Sequence, residues 1–159
     1  MTDTLRKELQ FYLSESLRKV REAWTRLDEQ QIWWRPNEAC LAPANQLIHL
    51  TGNVRQWVGT ALMQLDEVRT RDAEFAARGG LDKDQIFRAF EEQVHQMQQR
   101  LTEAQDWTSP HVVQGHPTTE LGIWIHMVEH LSYHTGQLLY TVKAMTGEPF
   151  DFYADWDLG

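Results

Sequence analysis

The sequence predicts an all-α protein, a four-helix bundle with one long crossover connection. Three observations carry that prediction: apolar residues recur at steps of three and four over four separate stretches, Pro and Gly collect between those stretches, and helix-capping residues stand at several of their ends. A chain of 159 residues can bury one substantial core. Residues 1–159 are therefore expected to form a single domain, and no internal repeat or low-complexity run breaks the chain.

The first helix is expected from about Thr4 to Leu27, where Leu5, Leu9, Tyr12, Leu13, Leu17, Val20 and Trp24 trace one face. Its basic residues, Arg6, Lys7, Arg18, Lys19 and Arg21, are interleaved with Glu8, Glu15 and Glu22, as on a solvated surface. The stretch DEQQIWWRPNEACLAPA loses the helical period and contains Pro36 and Pro43. It is longer than a tight helical hairpin needs, so the crossover is placed here.

A second helix is expected from just after Pro43 to about Asp66, with Leu47, Leu50, Val54, Trp57, Val58, Ala61 and Leu65 on its apolar side. The segment EVRTRDAEFAARGG is charged and ends in two Gly, which reads as a loop or a fraying helix end. The third helix opens at Asp82, which has the spacing of a capping box with Gln85, and runs through Ile86, Phe87, Phe90, Val94, Met97 and Leu101 to about Ala104. Gln105 to Thr118 contains Pro110, Gly115 and Pro117 and reads as a loop.

Thr118 or Thr119 caps the fourth helix, Glu120 suits its positive end, and Gly147 followed by Pro149 stops it. This is the most apolar helix, so it is expected to be the most deeply buried. The tail EPFDFYADWDLG sets Phe150, Phe152, Tyr153 and Trp156 among three Asp, and is expected to fold back onto the bundle or a partner subunit.

Charge and composition exclude several functions. A net charge of -8 and a pI near 5.3 oppose binding to phosphate backbones, so nucleic acid is not an expected partner. Cys40 is the only cysteine, which rules out an internal disulfide. The charged, amphipathic start lacks the apolar core of a signal peptide, and no stretch reaches the roughly 20 apolar residues of a membrane span. No membrane association is expected, and the cytoplasm is the expected location.

The chemistry collects on histidine. His126, His130 and His134 follow one another at four-residue steps, so their side chains stack along one side of the fourth helix together with Ile123, Met127 and Gln137. If that side faces inward, several unpaired imidazoles would be costly, at roughly 2 to 7 kcal/mol for each polar group buried without a partner. A shared metal ion removes the cost. Two helical histidines leave a catalytic site one ligand short, and His49 on the second helix is the best source of the third. His95 lies in a polar stretch, and His111 and His116 in a loop. A competing pattern is HxxEH, met by His126, Glu129 and His130, in which two histidines bind zinc and the glutamate is the base of a peptidase. The bland reading is that all are histidines satisfied by hydrogen bonds.

The run His130-Leu-Ser-Tyr-His134-Thr-Gly136-Gln137 resembles the HxxxHxGQ signature in the last helix of the DinB/YfiT-like metalloenzyme family, whose name comes from induction by DNA damage. WWRPNEACLAPANQLIHLTGNVRQWV is similar to that family's segment from the first loop into the second helix. The resemblance implies a four-helix bundle of unusual helix order, commonly a homodimer, with metal on His49, His130 and His134 and with His126 outside the ligand set. It implies one divalent transition metal, with nickel, zinc and iron all compatible with imidazole ligands. From relatives with an assigned activity, it further implies an S-transferase or isomerase using a low-molecular-weight thiol such as bacillithiol or mycothiol as cosubstrate. The alternative is a non-catalytic, dimeric, metal-stabilised bundle.

Further candidates border this site. Gln137, one turn beyond His134, could hydrogen-bond a ligand ring or a bound water. Asn53 and Trp57 follow His49 by one and two turns and could line the pocket, with a core role favoured for Trp57. Gly136 reads as a packing glycine that lets the fourth helix approach a neighbour. Trp33 and Trp34 read as a staple holding the long loop to the bundle. Tyr133 and Tyr153 are conceivable proton donors, and Cys40 reads as an inert small residue.

Overall fold

The computed structural model describes residues 2–154 and is mostly helical, with one small two-stranded sheet. Helix α1 spans Thr2–Thr25 and buries Leu9, Leu13, Leu17, Val20 and Trp24, the face its periodicity predicts. A single 3-10 turn, Gln31–Trp33, interrupts the long connection and buries Ile32 completely. Helix α2, Pro43–Val54, starts with Pro43 in its first turn, where a missing N–H costs nothing.

The second helix does not run regularly to Asp66. After Val54 it widens into a π-helical stretch, Arg55–Thr60, then returns to a short α-helical piece, α3 (Ala61–Met63), and stops at Gln64 in a left-handed conformation with φ 57. Periodicity could not show this, because one widened turn shifts the later apolar residues by only one position. The segment read as a loop contains a short helix, α4 (Arg71–Ala76), which buries Glu74. Helix α5, Lys83–Thr102, opens with the complete capping box, Asp82 accepting from the Gln85 amide while Gln85 reaches back to Asp82.

The second region read as a loop is a β-hairpin, β1 (Pro110–Val113) pairing antiparallel with β2 (His116–Thr119). Its turn is Gln114-Gly115, with φ of 53 and 78; two successive left-handed residues match the twist of a tight hairpin, and Gly115 supplies the conformation without strain. Thr119 then caps helix α6, Glu120–Thr146, by accepting from the Gly122 amide, and Gly147 at φ 71 ends it.

Helix α1 packs against α6 and α5, and α2 packs against α5 and α6. The helices therefore run round the bundle as α1, α6, α2, α5, and the connection from α1 to α2 crosses the diagonal. This all-α architecture with its crossover is the one the sequence predicts.

Two details differ from expectation. Helix α6 is not buried all round: Ile125, Tyr133 and Tyr140 are 55, 57 and 73% exposed, because the helix occupies one corner of the ring and only its inner face meets neighbours. Gly136 lies on the outer side, where an added Cβ would meet nothing, so it does not admit another helix of this chain among the described residues. The close approaches come at Gly52 and Gly122, where a side chain would overlap Glu74 and Thr118.

The core runs through Leu13, Phe90, Met97, Leu101, Trp124, Met127 and Leu138, all essentially inaccessible. Trp124 donates its indole N–H to Glu120, 3.3 Å away, and Glu120 in turn pairs with Arg100 at 3.1 Å, so the buried Glu120 carboxylate is satisfied. The described part of the tail, through Tyr153, folds back onto α1. The Arg26 guanidinium lies 4.0 Å from the centre of the Phe150 ring and donates to the Pro149 carbonyl at 2.9 Å, while Arg18 lies over Phe152 and Lys19 donates to the Tyr153 hydroxyl at 3.0 Å. Trp156 lies outside the described residues.

Candidate metal centre

His49 projects from the second turn of α2, and His130 and His134 project from consecutive turns of α6. Because α2 packs on α6, the three rings converge: one ring nitrogen from each lies within 4.8 Å of the others. His49 Nε2 and His130 Nε2 are 3.1 Å apart, and the His49 and His134 ring centres are 5.0 Å apart. His134 is buried and its Nδ1 has no hydrogen-bond partner. Three imidazole nitrogens crowded together, one ring with an unpaired buried nitrogen, form a set that could hold a borderline-soft divalent ion.

A cavity of about 470 Å³ opens beside these rings. Phe75, Tyr133, Tyr140, Gln46, Gln137 and Cys40 line it with the three histidines. Gln137 lines the cavity, whereas Asn53, Trp57 and His126 are not among its lining residues. Asn53 is buried, and Trp57 stacks on His126 with ring centres 3.8 Å apart. His126 stacks in turn on His130 at 5.0 Å, so it backs the cluster without entering it. His95, His111 and His116 lie outside the cluster. Cys40, read as inert, has its place in the cavity wall.

What periodicity and motif spacing miss is the far side of His49. Glu74 from α4 places Oε2 3.1 Å from His49 Nδ1. Arg69 grips the same carboxylate twice, Nε to Oε1 at 2.7 Å and a terminal nitrogen to Oε2 at 2.8 Å. Its other terminal nitrogen donates to Gln56 Oε1 at 2.7 Å, from the π-helical stretch. Asn45 donates to the carbonyls of Glu74 and Ala77 at 2.8 and 3.0 Å and accepts from Arg35 at 3.0 Å, which holds α4 against α2. A signal does exist in the sequence: Gly52 sits in mid-helix, where glycine costs about 1 kcal/mol relative to Ala, and the Glu74 carboxylate fills the space its missing side chain leaves.

The electrostatics keep the His130 and His134 rings neutral. Burial, and then the neighbouring His134, His126 and His49, push His130 down to about 3; burial and the proximity of His49 push His134 down to about 4. Burial also lowers His126, against a small opposing pull from Glu129. For Glu74, burial alone would raise the carboxyl, but hydrogen bonds from Arg69 and His49 outweigh it and hold the group below its ordinary value. Neutral imidazoles present lone pairs at neutral pH, as metal ligands must.

A pH dependence follows for the metal-free protein. Unfolded His130 and His134 take up protons near 6.5, but folded they do so only at about 3 and 4, so the unfolded state binds more protons in between. Stability from these groups is therefore undiminished above about pH 6.5 and falls as pH drops through the window below it. Thermal unfolding of chelator-treated protein should show the melting temperature falling between pH 6.5 and 5, where carboxylates scarcely titrate, and a His130→Gln, His134→Gln double variant should flatten that slope.

An all-α ring with a diagonal first crossover and a three-histidine cluster between its second and last long helices defines a protein of the DinB/YfiT-like class. Residues 8–147 match the family model described as mycothiol-S-transferase, and the chain belongs to that family. No curated protein matches it.

Proposed function

We propose that this protein is a metal-dependent thiol S-transferase, in which His49, His130 and His134 hold one divalent ion and a low-molecular-weight thiol of the mycothiol kind is the sulfur donor. The observation that carries this reading is the convergence of the three imidazoles at the wall of a cavity large enough for small molecules. A divalent ion held there supplies Lewis acidity, which favours the nucleophilic thiolate over the thiol.

The chain's own residues supply the rest. Phe75, Tyr133 and Tyr140 give the cavity aromatic surface for apolar parts of a substrate, while Gln46 and Gln137 offer amide groups for orienting polar parts of either substrate. The thiol proton passes to solvent, the sulfur–carbon bond forms, and the electrophile's leaving group departs with the bonding pair. Membership of the mycothiol-S-transferase family supports the choice of donor.

The test uses protein purified without a nickel column. Elemental analysis should find about one equivalent of a divalent transition metal, and thiol consumption with a panel of electrophiles should require it, being lost on chelation and restored on adding the metal back. Stoichiometric metal whose removal lowers the melting temperature, with no thiol-dependent turnover on any electrophile, would instead identify a metal-stabilised, non-catalytic bundle.

A further inference from the structure

We infer that Glu74, gripped by Arg69, is a positioning residue of the metal centre: it fixes His49 with its proton on Nδ1, so that Nε2 faces His130 and His134 with a free lone pair. This deepens the three-histidine reading and rests on it.

The geometry offers two tautomers for His49. In one, Nδ1–H donates to Glu74 Oε2 at 3.1 Å; in the other, an unprotonated Nδ1 accepts from an Arg69 terminal nitrogen, also at 3.1 Å. The first is favoured because the second would set the lone pair of Nδ1 against a carboxylate oxygen 3.1 Å away. With the proton on Nδ1, the 3.1 Å contact between His49 Nε2 and His130 Nε2 makes His49 the acceptor in the metal-free protein. The lone pair that accepts there is the one a metal would use.

The placement is built with unusual care for a six-residue helix. Glu74 and Arg69 side chains are 8 and 4% exposed, and a buried ion pair is weak evidence for stability, since apolar replacements of similar shape often do as well. Its position against a ligand ring gives it another use. Two devices hold it: the Asn45 amide ties the backbone of α4 to α2, and Gly52 leaves room for the carboxylate on the surface of α2. A carboxylate behind a ligand imidazole fixes its tautomer and orientation and raises its basicity.

The experiment compares the full chain with Glu74→Gln, Glu74→Ala and Gly52→Ala. The last keeps the carboxylate but displaces it. Zinc affinity is read by competition with a chromogenic chelator well below each variant's melting temperature, and the His49 tautomer is read from long-range proton–nitrogen spectra. Zinc affinity should fall by about 10–100-fold in Glu74→Gln, at least as far in Glu74→Ala, and in the same direction in Gly52→Ala. In the wild type, His49 should carry its proton on Nδ1 with and without zinc.

Lower melting temperatures with unchanged zinc affinity in Glu74→Gln and Gly52→Ala would overturn the inference and leave a merely structural ion pair, with the three-histidine centre intact. So would a wild-type spectrum with the His49 proton on Nε2. If Glu74→Gln does not fold, Gly52→Ala decides the matter alone. A wild-type chain that binds no zinc, nickel or iron would overturn the proposed function itself, and with it the role of Glu74 at a metal, whatever the tautomer.

Discussion

Replacing His134 by Ala is expected to leave the protein without stoichiometric metal and without metal-dependent thiol transfer. The size of the effect follows from what a ligand does. Removing a group that only supports a ligand commonly weakens a metal site by about 10–100-fold, so removing a ligand itself should cost more than that. His134 is buried at the convergence of the three rings, and no other His, Cys, Asp or Glu among the described residues joins the group, so no substitute donor stands ready. The control is His126→Ala. His126 stacks on Trp57 and His130 but lies outside the cluster, and its loss should leave metal content near the wild-type value. The opposite result, metal lost in His126→Ala and kept in His134→Ala, would point to the HxxEH pattern instead. Elemental analysis of the two variants, prepared side by side, reads the difference directly.

The second large effect is expected on stability. Trp124 is the largest fully buried side chain among the described residues, seated on the inner face of α6, and Trp124→Ala should destabilise the protein by about 3–5 kcal/mol through lost burial and the cavity left behind. The substitution also strips Glu120 of its indole partner, leaving the contact with Arg100 to satisfy a carboxylate that is 5% exposed. Against a typical total of about 5–15 kcal/mol, that is a large fraction of the folding free energy. Urea unfolding should show a much lower midpoint with an unchanged slope. Saturating zinc should recover part of the loss if the ion binds only the folded chain, and this links the core of α6 to the site it carries. A midpoint within experimental error of the wild type would show that the bundle refills the space, contrary to the packing described.

The elements differ in how legible they are in the sequence, and for physical reasons. The long helices α1, α5 and α6 are visible because each buries one face against the ring, and burial of one face imposes the helical period. Their ends are visible because Asp82, Thr119 and Gly147 satisfy terminal backbone groups with local chemistry that involves only nearby residues. The hairpin at 110–119 is hidden because its strands are four residues each and mostly exposed, so burial leaves no alternation to read, and its Pro and Gly resemble loop residues. Helix α4 is hidden for a related reason: at six residues it is too short to show a period, and what holds it is the Asn45 amide, 29 and 32 residues away in the chain.

By itself, the sequence determined the helical class, the order of the long helices, and the pair of histidines one turn apart on α6, because these depend on spacing along a single segment. Only the tertiary structure decided that His49 meets that pair, that His126 turns instead to Trp57, and that Glu74 and Arg69 stand behind His49. Most of those contacts join segments 25 or more residues apart in the chain. Their geometry is set by how α2, α4 and α6 pack, and packing of separate faces leaves no period in the chain from which it could be read.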